Sequence, residues 1–243
     1  MRVNRDALAL AILNEPHALI AGCTGSGKST LLDTVLYTLC SYAPVEKSYI
    51  IIDLKKVSLL KWEYTPHCLG YARTPEEVEA AIFHAVDLMN KRLSKLLKKR
   101  QDKSKEGHIY LIIDEAAEFL DKCGHLYEDL KSIARLARAV NIHLIFATQS
   151  PNRRVIRADI ALNLTGRVGL RCANQIESRQ IINAPGCELL PRYGRALWLS
   201  PEFMQPLPVA VNMTPAEDIK ALIEYQKRES KKIFKNLWLE LIN

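Results

Sequence analysis

Residues 17–30 read HALIAGCTGSGKST, and the rest of the chain is organised around them. Ala18-Leu19-Ile20-Ala21 is an apolar run with the length of a short buried strand. The run breaks at Gly22, and Gly22 through Ser29 then fit G-x-x-x-x-G-K-[ST], a phosphate-binding loop. Glycines at 22, 25 and 27 let successive N–H groups turn inward around a polyphosphate. Lys28 brings a mobile positive charge to the β- and γ-phosphates, and the Ser29 hydroxyl is a ligand for Mg²⁺. The helix expected from Ser29 to about Tyr42 aims its positive dipole end at the same phosphates. The nucleotide cradle is therefore Gly22, Cys23, Thr24, Gly25, Ser26, Gly27, Lys28, Ser29 and Thr30. Cys23 occupies a free position of the pattern, and its thiol is assigned no role.

The 243 residues are 48% hydrophobic and 25% charged, an ordinary composition for a chain that buries a sizeable core. No run of 18 apolar residues exists, and the N-terminus does not read as a signal peptide. Six scattered cysteines with no C-x-x-C pair suit a reduced, cytoplasmic protein with buried thiols. The formal charge of +7 is concentrated. Between Lys91 and Glu106, eight basic residues face two acidic ones and leave a surplus of +6. That is either a patch for a polyanion or a solvated helix end.

Strand and helix patterns alternate along the chain, which predicts βα units and a mostly parallel sheet. Ser48 to Asp53 is a β-branched run ending in Asp53-Leu54-Lys55-Lys56. Cys68 to Ala72 reads as a short edge strand. Thr74 as N-cap, Pro75 at the first helical position and Glu77 closing a capping box open a long helix. Residues 109–115, IYLIIDE, are an apolar strand ending in an acidic pair. Asp114 is expected on the metal, and Glu115 as the general base that polarises the attacking water. A helix from about Leu126 to Val140 carries Arg135 and Arg138. The strand Ile142 to Gln149 delivers Thr148 and Gln149 to the carboxyl edge of the sheet, where ligands bind. Gln149 there can sense the γ-phosphate or position water. Further strands are read at Gly166–Cys172 and Arg195–Leu199, with a short helix from Gln175 between them. Thr214-Pro215-Ala216-Glu217 caps a closing amphipathic helix ending at Asn243.

Together PHALIAGCTGSGKST, YIIIDLKKVSLLKWE, LIIDEAAEFL, RAVNIHLIFATQSP and GRVGLRCANQIESRQIINAPGCELL resemble the FtsK/SpoIIIE family of DNA-pumping ATPases over roughly residues 15–200. The resemblance implies a RecA-like P-loop α/β fold over residues 1–213, with residues 214–243 as a helical extension. It implies ATP and Mg²⁺ as cofactors and a hexameric ring around double-stranded DNA. Lys28, Ser29, Asp114 and Glu115 match the family's nucleotide-site residues. Arg138 falls where the family's trans-acting arginine finger lies, with Arg135, Arg167 and Arg179 as other candidates. Phosphate contacts to DNA are expected from Lys55 and Lys56 (with Lys61) on one loop and Arg153, Arg154 and Arg157 on another. The chain shows no counterpart of the family's membrane segments or winged-helix module, so a minimal motor is expected, serving transfer or mobilisation of a phage, plasmid or integrative element. The alternatives are a secretion or conjugation coupling ATPase moving protein or nucleoprotein, a small-molecule kinase, and a non-hydrolysing scaffold.

Overall fold

The HALIA strand, β1 (His17–Ala21), is buried at every position, because it runs through the middle of the sheet with covered faces on both sides. The computed structural model describes residues 7–42, 47–56 and 58–228. Eight strands lie in the order β3-β2-β4-β5-β1-β6-β7-β8. These are β2 (Lys47–Ile52), β3 (Cys68–Ala72), β4 (His108–Ile113), β5 (Ile142–Thr148), β6 (Gly166–Gly169), β7 (Arg195–Leu199) and β8 (Leu207–Ala210). The first six in space are parallel; β7 pairs antiparallel to β6, and β8 pairs antiparallel to β7 at the edge. The α/β architecture, the mostly parallel sheet and the edge position of β3 agree with the sequence reading.

Side chains alternate along each strand and so divide the core in two. Leu19, Ile50, Ile52, Leu111, Ile113, Leu144 and Phe146 face α3 (Pro75–Lys99), α4 (Ala116–Cys123), α5 (Tyr127–Leu136), α6 (Ala158–Ala161) and α7 (Gln175–Ile182). Ile20, Ile51, Ile112, Ile145 and Val168 face α1 (Ala7–Asn14), α2 (Lys28–Tyr42) and the described part of the closing helix, α8 (residues 216–228). Ile219 and Ile223 of α8 belong to the same cluster as Leu32, Val35 and Leu36 of α2. Of the closing helix expected to end at Asn243, residues 229–243 lie outside the described residues.

Local signals decide several boundaries. Thr74 caps α3 with the full reciprocal box, its side chain accepting from Glu77 N–H. Arg100 ends that helix in the left-handed region at φ 50°. The helix expected over 126–140 is α5 followed by a 3₁₀ turn, Ala137–Val140, closed by Asn141 at φ 56°. The strand expected from Gly166 to Cys172 stops at Gly169. Beyond it Leu170 N–H still donates to Ala21 O at 2.8 Å, and Arg171 O accepts from Cys23 N–H at 2.8 Å, so this segment flanks the phosphate loop.

At the amino edge of the sheet two histidines are buried neutral. His17 Nδ1 accepts from Leu144 N–H at 2.9 Å, which leaves its buried Nε2 without a hydrogen-bond partner. His143 Nδ1 faces the carbonyls of Glu15 and Pro16 at 3.2 and 3.0 Å, and its Nε2 lies 2.8 Å from His108 Nδ1. Burial foremost, then the neighbouring His143 and Arg138, lower His17 to about 3. Burial, His108 and Lys47 lower His143 to about 4 against the opposing pull of the two carbonyls. Both imidazoles take up protons in the unfolded chain near pH 6.5 and refuse them in the folded one. Stability is therefore complete above about pH 6.5 and falls as the pH drops toward 4, with a limiting slope of about 2.7 kcal/mol per pH unit for two protons. Urea midpoints at pH 7.5, 6.5, 5.5 and 4.5 check this: a plateau, then a steep fall. A midpoint unchanged down to pH 5 would exclude it.

Candidate nucleotide site

The carboxyl ends of β1, β4 and β5 bring three sequence-distant segments together. Gly22 leaves β1 with no room for a side chain: a Cβ there would lie 2.6 Å from Leu170 Cβ and 3.0 Å from Arg171 O. The loop then turns through Gly25 at φ +74° and Gly27 at φ +96°, and α2 begins at Lys28. Ser26 N–H donates to Cys23 O at 3.1 Å, closing the turn.

Lys28 is 3% exposed and reaches across the sheet edge to the end of β4. Its Nζ donates to Asp114 Oδ1 at 2.7 Å and to Asp114 O at 2.5 Å. Glu115, the residue before α4, turns its carboxylate toward β5 instead. Oε1 accepts from Thr148 Oγ1 at 2.7 Å and from Gln149 N–H at 3.0 Å; Oε2 accepts from Lys55 Nζ at 3.2 Å. The Gln149 side chain reaches back to the phosphate loop, where its Oε1 accepts from Thr24 Oγ1 at 2.8 Å. One hydrogen-bonded chain thus links the loop, Gln149 and Glu115, while a buried ion pair joins Lys28 to Asp114. Lys28, Asp114, Glu115 and Gln149, four of the residues expected to act on nucleotide, meet in one place.

The donor set suits a metal that arrives with its nucleotide. Ser29 and Asp114 offer two oxygens, and Mg²⁺ commonly takes one or two protein ligands and completes its shell with phosphates and water. Among the described residues no group of three or more histidine, cysteine or carboxylate side chains forms a self-sufficient metal cage.

A cavity of about 500 Å³ adjoins the phosphate loop, lined by Ser26, Gly27 and Thr30 on one side and Tyr193, Val211 and Met213 on the other. Sequence reasoning missed the second wall. It is assembled by β7 and β8 returning beside α2, where Thr34 Oγ1 donates to Asn212 O at 3.3 Å and accepts from Thr214 N–H at 3.2 Å. No local pattern around residues 193 or 211–213 announces that meeting.

The arginines and lysines expected to meet DNA or a neighbouring site are dispersed. Arg138 is exposed at the amino edge beside Glu15 and Glu202, a strand length from Lys28; the seven residues of β5 cover roughly 20 Å. Arg167 is buried and donates to Leu164 O at 3.0 Å and Asn183 Oδ1 at 3.1 Å, as well as to Ala161 O. That guanidinium staples two helix ends. Lys55 is bonded to Glu115, Lys61 to Asp33 at 2.7 Å, and Arg154 to Asp121 at 2.7 Å. Lys56 is exposed at φ 65° on the same turn as Lys55. Arg153, Arg157 and Arg179 line a separate groove of about 790 Å³, with Arg157 resting 4.0 Å from the Tyr127 ring centroid. In the basic run, Arg92 points inward and donates to Val140 O at 2.7 Å and Gly107 O at 2.8 Å, so not all of that surplus is surface charge.

The fold is shared with solved P-loop ATPases. The pCW3 conjugation coupling protein TcpA, bound to ATPγS, superposes with a TM-score of 0.77 at 24% identity, over 89% of this chain and 66% of that one. ATPases 2 and 3 of EssC from Geobacillus thermodenitrificans give 0.75 at 20% identity, over 92% of this chain and 45% of that one. Among relatives by sequence, DNA translocase FtsK of Clostridium tetani is 31% identical over 88% of this chain and 31% of its own length. DNA translocase SftA of Bacillus subtilis is 29% identical over 93% of this chain and 26% of its own length. The chain thus spans about a third or less of the length of these relatives. No helix among the described residues is long and apolar enough to cross a membrane. With the phosphate loop and the acidic strand end in register, and with the FtsK/SpoIIIE family model matching residues 3–124, this chain belongs to the FtsK/SpoIIIE family.

Proposed function

We propose that this chain is the motor unit of an ATP-driven double-stranded DNA translocase. The observation that carries the reading is the convergence of Lys28, Asp114, Glu115 and Gln149 at the carboxyl edge of the sheet. In the reaction Lys28 exchanges Asp114 for the phosphates of ATP, a move of one flexible side chain within the loop. Glu115, anchored by Thr148 and by the Gln149 N–H, takes the proton of the attacking water. Gln149 spans from that carboxylate to Thr24 and so can report on what fills the loop. Bound Mg²⁺, held by Ser29 and Asp114, would neutralise charge on the β- and γ-phosphates.

Arg138 lies too far from Lys28 to serve its own site, which supports a role across a subunit boundary in a ring, with six copies as the reading carried over from the family. Arg153, Arg157 and Arg179 supply a groove for DNA phosphates, and Lys56 is exposed on the turn after β2. Such contacts are salt-sensitive and weakly dependent on sequence. Transfer or mobilisation of an element's own DNA, in the cytoplasm, is the cellular role this reading favours. Steady-state ATP hydrolysis with and without linear duplex tests it: several-fold stimulation by DNA is expected, diminishing as salt is raised. Hydrolysis indifferent to duplex would instead favour a coupling ATPase with protein cargo.

A further inference from the structure

We infer that Arg192 is a second cation of the nucleotide site, acting in the same subunit as Lys28 and reaching the polyphosphate from the segment that precedes β7. The inference rests on the nucleotide reading above and adds a residue to it. Arg192 precedes β7 on the segment that also supplies Tyr193 to the cavity wall. Its guanidinium lies against the phosphate loop itself: a Cβ built on Gly25 would come 2.9 Å from Arg192 Nη2 and 3.5 Å from Nε. Gly25 has φ +74°, so the position is closed to most side chains on conformational grounds as well, and the bare backbone leaves space for the guanidinium.

The charge state of the loop makes this placement consequential. Lys28 is buried and neutralised by Asp114 in this structure. Arg192 is exposed, and no carboxylate lies within ion-pair distance of it among the described residues. Its guanidinium lies instead over a π face, the Tyr193 ring, with the centroid 5.3 Å away. An uncompensated guanidinium over a loop built to hold phosphate is placed for charge-assisted, bidentate contact with phosphate oxygens. The ring beside it borders the cavity that continues from the loop past Thr30.

The experiment is equilibrium binding of ADP and ATP, each with Mg²⁺, to the wild-type chain, Arg192→Ala, Arg192→Lys and Lys28→Ala, alongside melting temperatures with and without nucleotide. Arg192→Ala is expected to weaken both nucleotides about tenfold or more. Arg192→Lys should recover part of that loss. The nucleotide-free melting temperature should not move, since the side chain has no buried partner to lose, whereas the rise on adding ADP should shrink. Binding within twofold of wild type in Arg192→Ala would overturn the inference while leaving the site around Lys28 standing. A wild-type chain that binds neither nucleotide would overturn the site itself, and the inference with it.

Discussion

Lys28→Ala is expected to abolish ATP turnover, by a factor of about 10³ or more, and to weaken nucleotide binding at least tenfold. The structure adds a second expectation. Lys28 and Asp114 are a buried ion pair, with side chains 3% and 2% exposed. Removing one member leaves an uncompensated buried carboxylate, at a cost of about 3–5 kcal/mol. The single variant should therefore lose both activity and stability, and activity alone would not separate chemistry from folding. The double variant Lys28→Ala/Asp114→Asn removes the stranded charge. It should regain most of the stability in urea unfolding while remaining unable to hydrolyse ATP. Stability that stays low in the double variant would show that the lysine supports the fold by a route other than this pair.

Glu115→Gln is expected to lower kcat about 10²–10⁴-fold, the range lost when a positioned general base is removed. Nucleotide binding should survive, because the phosphate loop and Lys28 are untouched. The glutamine carbonyl can still accept from Thr148 Oγ1 and Gln149 N–H, as Oε1 does now. Its amide group can no longer accept from Lys55, but that ammonium is on a side chain 37% exposed, and pairs of this kind are worth about 0–1 kcal/mol. The variant should thus fold, bind ATP and hold it unhydrolysed. Filter-binding and single-turnover measurements on one preparation check both halves; a kcat within threefold of wild type would remove Glu115 from the chemistry.

The parts of this site that could be read in the sequence are those written in consecutive residues. Gly22 through Ser29 prescribe their own backbone, IYLIIDE prescribes a buried strand with acids at its end, and Thr74-Pro75-Glu76-Glu77 prescribes a helix start. Each rests on short-range geometry, and each is present. What could not be read depends on which distant groups meet. Nothing near Arg92 says that its charge is spent on the carbonyls of Gly107 and Val140 inside the protein. Nothing near Lys55 says that its partner is a carboxylate 60 positions away. The antiparallel return of β7 and β8, which brings Tyr193 and Met213 to the phosphate loop, is a packing outcome of the whole sheet. The α1 helix is equally hidden: Ala9, Ile12 and Leu13 gain meaning only against the α2 residues they cluster with.

A site completed by a neighbour is tested most directly by mixing two inactive variants. Arg138→Ala chains keep Lys28, and Lys28→Ala chains keep Arg138. If Arg138 acts across the boundary, each variant alone should be inactive, with the arginine worth about 10³–10⁵ in rate. Their mixture should hydrolyse ATP wherever an intact loop adjoins an intact arginine. A mixture no more active than its separate components, at concentrations where the wild-type chain is fully active, would contradict it.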